Sequence, residues 1–190
     1  MFFVYLAFDR FIILKYSSPD IVSNYDIIYK VMSLVLVPWA IVSKPLWSSY
    51  SEAQSRNDIK WIKTTYKKTI LFFIFIIVSV IVISVFFDSI TNLWIGEILN
   101  IELTELWMVG LLICMIMWCN LHYDLLFGLS LYKISLITAL IGVFIKIVAT
   151  LVIVKLDIVN VFYVAITSIL AYTLYNVVSP VIVKNKFKNI

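Results

Sequence analysis

The amino-acid sequence predicts an all-α integral membrane protein. Of its 190 residues, 63% are hydrophobic and 14% are charged, and the mean hydropathy is +1.05. A soluble domain is nearer half apolar and a quarter charged, so a water-soluble fold could not bury this much apolar surface. The apolar residues fall into six runs, most of them near the length of about 20 residues at which a helix crosses the hydrocarbon core. We therefore expect six transmembrane helices.

The first apolar run covers residues 1–15. A helix of that length would measure about 22 Å, which is less than the roughly 30 Å thickness of the hydrocarbon core. Because this run is short and has no charged residue before it, we expect it to be the tail of a longer helix. The chain would then be the C-terminal part of a larger or split protein.

The second span is expected at residues 25–47, after a turn around Pro19 at residues 17–23. Pro38 removes a backbone hydrogen bond within this span and should kink it, and Pro45 should loosen its end. The third span, residues 69–87, contains no charged residue. The remaining spans are expected at residues 106–131, 134–154 and 158–183.

A polar, basic connector at residues 48–68 separates the second and third spans. Lys60, Lys63 and Lys67 are spaced i, i+3, i+7, which places them on one stripe of a helix. An apolar stripe lies beside them, and Asn57 or Asp58 can cap the helix start. Two interpretations are open: a helix lying on the membrane surface with its lysines toward anionic lipid headgroups, or a charged connector between two spans.

Successive ends of the six spans alternate between the two sides of the membrane. Basic residues are distributed unevenly between these two sets of ends. One set holds nine of them, and the other set holds only Lys15 and Lys155. The outer connector, residues 88–105, carries acidic residues and no lysine or arginine: Asp88, Glu97, Glu102 and Glu105. By the positive-inside rule, the connector at 48–68 and the C-terminus are cytoplasmic. We expect a multi-pass protein of the bacterial inner membrane. The net charge of +4 sits at the span ends, so no nucleic-acid partner is expected.

Four basic residues lie within the predicted spans: Arg10, Lys30, Lys44 and Lys146. A charge at the bilayer centre costs about 2.5–3.5 kcal/mol on insertion scales, so such a residue normally faces a partner or a wet cavity. Lys146 is nearest the middle of its span. Lys30 and Lys44 are nearer the span ends, where long side chains can reach the interface. Arg10 directly follows Asp9, and adjacent helical residues point about 100° apart, so we expect each to have a different partner.

The later spans contain other polar residues. Asn120 and Asp124 share a face of the fourth span, and Asp124 is a candidate for protonation unless it is simply solvated near the cytoplasmic end. His122 is expected to donate a hydrogen bond between helices. The sixth span carries a polar-aromatic face, for which we expect packing in preference to ligand binding: Tyr172, Tyr175, Asn176 and Ser179. No metal-spaced His/Cys cluster, phosphate loop or nucleophile elbow is present, so no metal, cofactor or catalytic site is expected.

The segment that begins at Pro45 resembles a known pattern. The lipid flippases for polysaccharides of the O-antigen type, in the multidrug/oligosaccharidyl-lipid/polysaccharide exporter superfamily, tend to show Pro-x-Trp-x-x-Tyr/Phe-x-Glu-Ala followed by Asp-x-x-Trp-Ile and a lysine run. The upstream residues 9–30 resemble the start of the second half of such a protein. The matching residues here are Pro45, Trp47, Tyr50, Glu52, Ala53, Asp58, Trp61, Ile62, Lys67 and Lys68.

This resemblance implies two lobes of six helices that face a central cavity, with the present chain as the C-terminal lobe and an N-terminal lobe encoded separately. The implied function is translocation of an undecaprenyl-diphosphate-linked oligosaccharide, an O-antigen or capsule repeat unit, across the inner membrane. Arg10, Lys146 and Lys30 are then the candidates for substrate charge. Asp9 or Asp124 is the candidate for proton coupling.

Other functions remain open from the sequence. A membrane-embedded polysaccharide polymerase or acyltransferase would need catalytic His, Asp or Arg in a long outer loop. The outer connector at 88–105 offers carboxylates but no His, Arg or Lys, which favours transport over catalysis. A drug antiporter of the same superfamily and a non-functional fragment are the remaining alternatives.

Overall fold

The computed structural model describes residues 2–96, 99 and 101–188, with side chains from residue 7 onward. Over this part of the chain the secondary structure is entirely helical, without a β-strand, so the all-α prediction is confirmed. The described helices are α1 (Phe2–Tyr16), α2 (Pro19–Met32), α3 (Leu36–Ser43), α4 (Leu46–Ser55), α5 (Ile59–Val85), α6 (Phe87–Ile95), α7 (Leu103–Gly128), α8 (Tyr132–Lys155) and α9 (Val161–Lys188).

Five helical segments of the described chain are long and apolar enough to cross a membrane: Pro19–Ser55, Ile59–Val85, Leu103–Gly128, Tyr132–Lys155 and Val161–Lys188. The first predicted span corresponds to α1, which has 15 residues and is not among them. Instead, α1 packs beside α2 and α9. The membrane character of the chain is thus supported for five helices, one fewer than the sequence predicts.

The second span starts earlier than predicted. It is interrupted near Pro38 and Pro45, the two positions at which the sequence predicts a break. Ser18 caps α2 by accepting a hydrogen bond from the Ile21 backbone N–H at 3.5 Å, and Pro19 occupies the first turn. The expected turn is therefore limited to residues 17–18. A 3₁₀ turn at Ser33–Val35 follows α2, and Pro38 lies just beyond it in the first turn of α3. Because Pro38 has no N–H to donate, the helical bonding is broken there. Pro45 separates α3 from α4 in the same way.

The connector at residues 48–68 consists of two helical parts joined by a short turn. Its first part continues as α4, and only residues 56–58 form a turn, with Asn57 in a left-handed conformation (φ 55°). The Asp58 carboxylate then caps α5 by accepting from the Trp61 backbone N–H at 2.9 Å. From there α5 runs unbroken for 27 residues, about 40 Å. The lysine stripe therefore lies on the first turns of a long helix that also contains the third span as far as Val85.

The outer connector is partly helical. Phe86 separates α5 from the short helix α6, which ends at Gly96 in a left-handed conformation (φ 83°). Trp94 and Trp107, which flank the rest of the connector, are both exposed. Glu97, one of the four acids that the sequence places here, lies outside the described residues.

Helices α7 and α9 form the centre of the bundle. They pack against each other, with α8 on one side of α9 and α2, α4 and α5 against α7. At one end, the Lys63 ammonium of α5 donates to the Phe187 carbonyl of α9 at 3.0 Å. A Cβ placed on Gly128 of α7 would lie 3.1 Å from the Trp47 carbonyl of α4. The span ends that carry most of the basic residues therefore lie on the same side of the molecule.

Candidate functional site

The interior contains a buried ion pair between Asp9 of α1 and Lys146 of α8. Each side chain is 2% exposed. The Lys146 ammonium donates to the Asp9 carboxylate and to the hydroxyls of Thr167 and Ser168 on α9, both at 2.7 Å. The Val164 carbonyl lies 3.5 Å away. An ammonium has three protons to donate, so these oxygens satisfy it completely.

The Asp9 carboxylate is satisfied on its other oxygen as well. Its Oδ2 accepts from the Ser168 hydroxyl at 2.7 Å and from the Tyr25 hydroxyl of α2 at 3.4 Å. Ser168 thus accepts from the ammonium and donates to the carboxylate. A charge removed from water is tolerated when it is paired and hydrogen-bonded. The polar cluster of Asp9, Tyr25, Lys146, Thr167 and Ser168 therefore joins four helices.

A second ion pair lies on the outer surface of α1 and α2. Arg10 has a side chain that is 62% exposed and contacts Asp26 of α2 at 3.0 Å. The pair lies in a groove of about 770 Å³ between α1 and α2, which Lys30 also lines. The walls of the groove are largely apolar and include Phe11, Leu14 and Val22.

The expectation that Asp9 and Arg10 have different partners is confirmed. Asp9 pairs inward with Lys146, and Arg10 pairs outward with Asp26. Tyr25 and Asp26 are also consecutive, so two adjacent residues of α1 contact two adjacent residues of α2 on opposite sides of the interface. Residues 9–10 of α1 and 25–26 of α2 therefore contribute to both the groove and the buried cluster.

The structure separates the three residues predicted to bind substrate charge. Arg10 and Lys30 line one groove, whereas Lys146 is enclosed by the bundle. Sequence reasoning missed Thr167 and Ser168, the two hydroxyl residues that hold the Lys146 ammonium. Their signal was the occurrence of two consecutive polar residues within the apolar sixth span.

Asp124, the other candidate for proton coupling, lies in neither group. It is half-buried near the C-terminal end of α7, the end that packs against α4. Within the described part of the chain it makes no ion pair. The structure therefore does not bring it to the groove or to the buried cluster.

His122 connects α7 to α5, as expected for a helix–helix hydrogen bond. Its Nδ1 lies 2.9 Å from the Trp118 carbonyl, and its Nε2 lies 3.0 Å from the Tyr66 hydroxyl. A carbonyl can only accept, so Nδ1 carries the proton, and in a neutral ring Nε2 accepts from Tyr66. The interhelical bond is confirmed, but with Tyr66 as its donor.

The polar-aromatic face of α9 is used for packing, as predicted. The Asn176 amide donates to the Met115 carbonyl at 2.9 Å, and the Trp118 indole N–H donates to the Asn176 carbonyl at 3.2 Å. The Tyr175 hydroxyl lies 3.4 Å from the Ser135 hydroxyl of α8. Tyr172 and Ser179 are also buried.

The motif that begins at Pro45 builds the turn between α4 and α5 and seats it on α7. Tyr50 and Ala53 are buried, and the Tyr50 ring meets the Trp61 ring edge to face at 5.9 Å between centroids. Glu52 pairs with Arg56 at 2.5 Å on the exposed side. The buried and capping residues of the motif therefore have local structural roles.

No family model, curated protein or solved structure matches this chain. The resemblance to polysaccharide flippases accordingly stays a prediction made from the residues quoted above. Among the described residues, no group of three or more His, Cys, Asp or Glu side chains could hold a metal ion.

Proposed function

We propose that this chain forms one lobe of a two-lobed transporter in the bacterial inner membrane. The substrate is an oligosaccharide linked to undecaprenyl diphosphate, which moves from the inner to the outer leaflet. The supporting observation is the largely apolar groove between α1 and α2, which Arg10 and Lys30 line together with Asp26, the partner of Arg10.

The depth of these charges supports a second lobe. Arg10 lies six residues before the end of α1, about 9 Å along the helix, and Lys30 lies about 16 Å from the start of α2. The free-energy cost of a charged side chain that faces acyl chains rises with depth and reaches about 2.5–3.5 kcal/mol at the bilayer centre. A facing lobe with a wet cavity between the two would remove that cost. In this arrangement the groove opens toward the passage.

The groove combines the two chemistries that a polyprenyl diphosphate requires. The Arg10 guanidinium can bind two phosphate oxygens at once, and the Lys30 ammonium adds a second positive charge. Phe11, Leu14 and Val22 offer apolar surface to the lipid tail. Asp26 holds Arg10 in place until a phosphate competes for it.

The buried cluster positions α1 in this proposal, so Lys146 acts through Asp9 and does not contact the substrate. Proton coupling is assigned to Asp9, because protonating its carboxylate would remove the ion pair that joins α1 to α8 and α9. Asp124 is the alternative site of proton coupling. Pro38 and Pro45, where the helical bonding is already broken, are the flexible points.

The test is a pair of chromosomal substitutions, Arg10→Gln and Lys30→Gln, scored by surface polysaccharide at matched protein level. The expected result is a large loss of polymer from each variant. Lys44→Gln is the matched control, because Lys44 is an exposed lysine of the same helical segment that does not line the groove. Normal polymer from both groove variants at normal protein level would contradict the proposal.

A further inference from the structure

The first turns of α5 and the last turn of α9 are fastened together at the basic end of the molecule. The Lys63 ammonium donates to the Phe187 carbonyl at 3.0 Å and lies 5.6 Å from the centre of the Phe187 ring. The Tyr66 ring meets the same ring edge to face at 5.7 Å between centroids. The two helix ends therefore present one continuous surface.

This surface carries positive charge that no acid of the described chain neutralises. Its exposed members are Lys60, Lys67, Lys68, Lys184 and Lys188, which we name the lysine surface. None of them forms an ion pair with a described residue. Among the acids at this end, Glu52 pairs with Arg56, Asp58 caps α5, and the half-buried Asp124 forms no ion pair with any residue that the structure describes.

Exposed tryptophans indicate the depth of this surface. Trp47 is 55% exposed and Trp61 is 38% exposed, and Trp61 directly follows Lys60. Exposed indole rings favour the level of the lipid headgroups. Lysines at the level of the headgroups can bind their phosphates.

We propose that the lysine surface binds the headgroups of anionic phospholipids. The site is made jointly by α5 and α9, and Lys63 is its positioning residue because it holds the two helix ends together. It is separate from the groove at Arg10 and Lys30 and does not depend on what the protein transports. Each lysine at such a surface contributes about a fivefold change in lipid affinity.

The test uses the full chain in detergent, titrated with phosphatidylglycerol or phosphatidylcholine. Bound lipid is counted by native mass spectrometry, and the melting temperature is followed in parallel. The expected result is preferential binding of phosphatidylglycerol, a higher melting temperature with it, and loss of the preference near 1 M salt, where the screening length is about 3 Å. Equal binding of the two lipids would overturn the proposal.

Charge-removal variants locate the site. Lys60→Gln with Lys67→Gln, and Lys184→Gln with Lys188→Gln, should each lower phosphatidylglycerol affinity by more than tenfold. The matched control is Lys15→Gln with Lys155→Gln, which removes two lysines from the opposite end and should leave the affinity unchanged. Unchanged affinity in both lysine-surface variants, at unchanged helical content, would contradict the assignment.

A single substitution tests whether the two helices act together. Lys63→Gln removes the link to the Phe187 carbonyl and should weaken lipid binding more than Lys133→Gln, which removes an exposed lysine from the start of α8. Equal effects of these two substitutions would mean that only total charge matters, and the joint site would be wrong.

Discussion

Asp9 and Lys146 are 137 residues apart in the chain and pair directly in the interior of the bundle. Thr167 and Ser168 complete the coordination of the ammonium, and Ser168 also donates to the carboxylate. Because both charges are satisfied, the pair can be buried, and because it is buried, neither charge can lose its partner cheaply. The pair thereby determines which face of α1 is turned toward α8 and α9.

Removing the ammonium should strongly destabilise the protein. Lys146→Ala leaves the Asp9 carboxylate buried with only hydroxyl donors, which should cost about 3–5 kcal/mol. Unfolding in detergent, followed by circular dichroism, measures the effect. Lys133→Ala, an exposed position on the same helix, is the control and should change stability by less than about 0.5 kcal/mol. Similar losses in the two variants would show that Asp9 does not depend on Lys146.

Removing both charges should be less harmful than removing one. In the double variant Asp9→Asn with Lys146→Met, no uncompensated charge remains in the interior. It should therefore be more stable than Lys146→Met alone, with a coupling free energy of about 1–3 kcal/mol in a double-mutant cycle. Additive effects of the two substitutions would argue against a direct interaction.

The outer ion pair should matter for ligand binding and little for stability. Since Arg10 is largely exposed, Asp26→Asn should change the free energy of unfolding by less than about 1 kcal/mol. By releasing the guanidinium, it should tighten binding of a polyprenyl diphosphate, measured by native mass spectrometry. Arg10→Gln should weaken the same binding. A weaker complex in Asp26→Asn would mean that the carboxylate does not compete with phosphate.

The close approach of α7 and α4 should not tolerate a side chain at Gly128. A Cβ there would collide with the Tyr50 Cβ and lie 3.2 Å from the Ser51 backbone nitrogen. Gly128→Ala should therefore cost about 1–3 kcal/mol in detergent unfolding. Gly110→Ala on the same helix is a milder control, because its Cβ would meet only side-chain atoms, the nearest at 3.2 Å. Equal stability of the two variants would contradict this packing.

The charge pattern did not show that the end of the basic connector and the third span form one helix. Residues 59–68 are polar and carry several lysines, yet they belong to the same helix as the apolar residues up to Val85. Lysine and threonine do not end a helix, whereas the turn at 56–58 and the Asp58 cap begin one. The cap was predictable from the residue type. The continuity of α5 followed from the lack of proline and glycine between the cap and Val85.

Composition and the lengths of the apolar runs were sufficient for the helical class and for five helices that are long and apolar enough to cross a membrane. They also gave the limits of α7 to α9 to within a few residues. These properties are local, because each helix satisfies its own backbone hydrogen bonds. The partner of Lys146 was decided only by the tertiary structure. In lipid, the outer face of a helix is as apolar as its packed face, so the pattern of residues does not show which face turns inward. The position of Asp9 against Lys146 depends on the packing of four helices, two of them at opposite ends of the sequence.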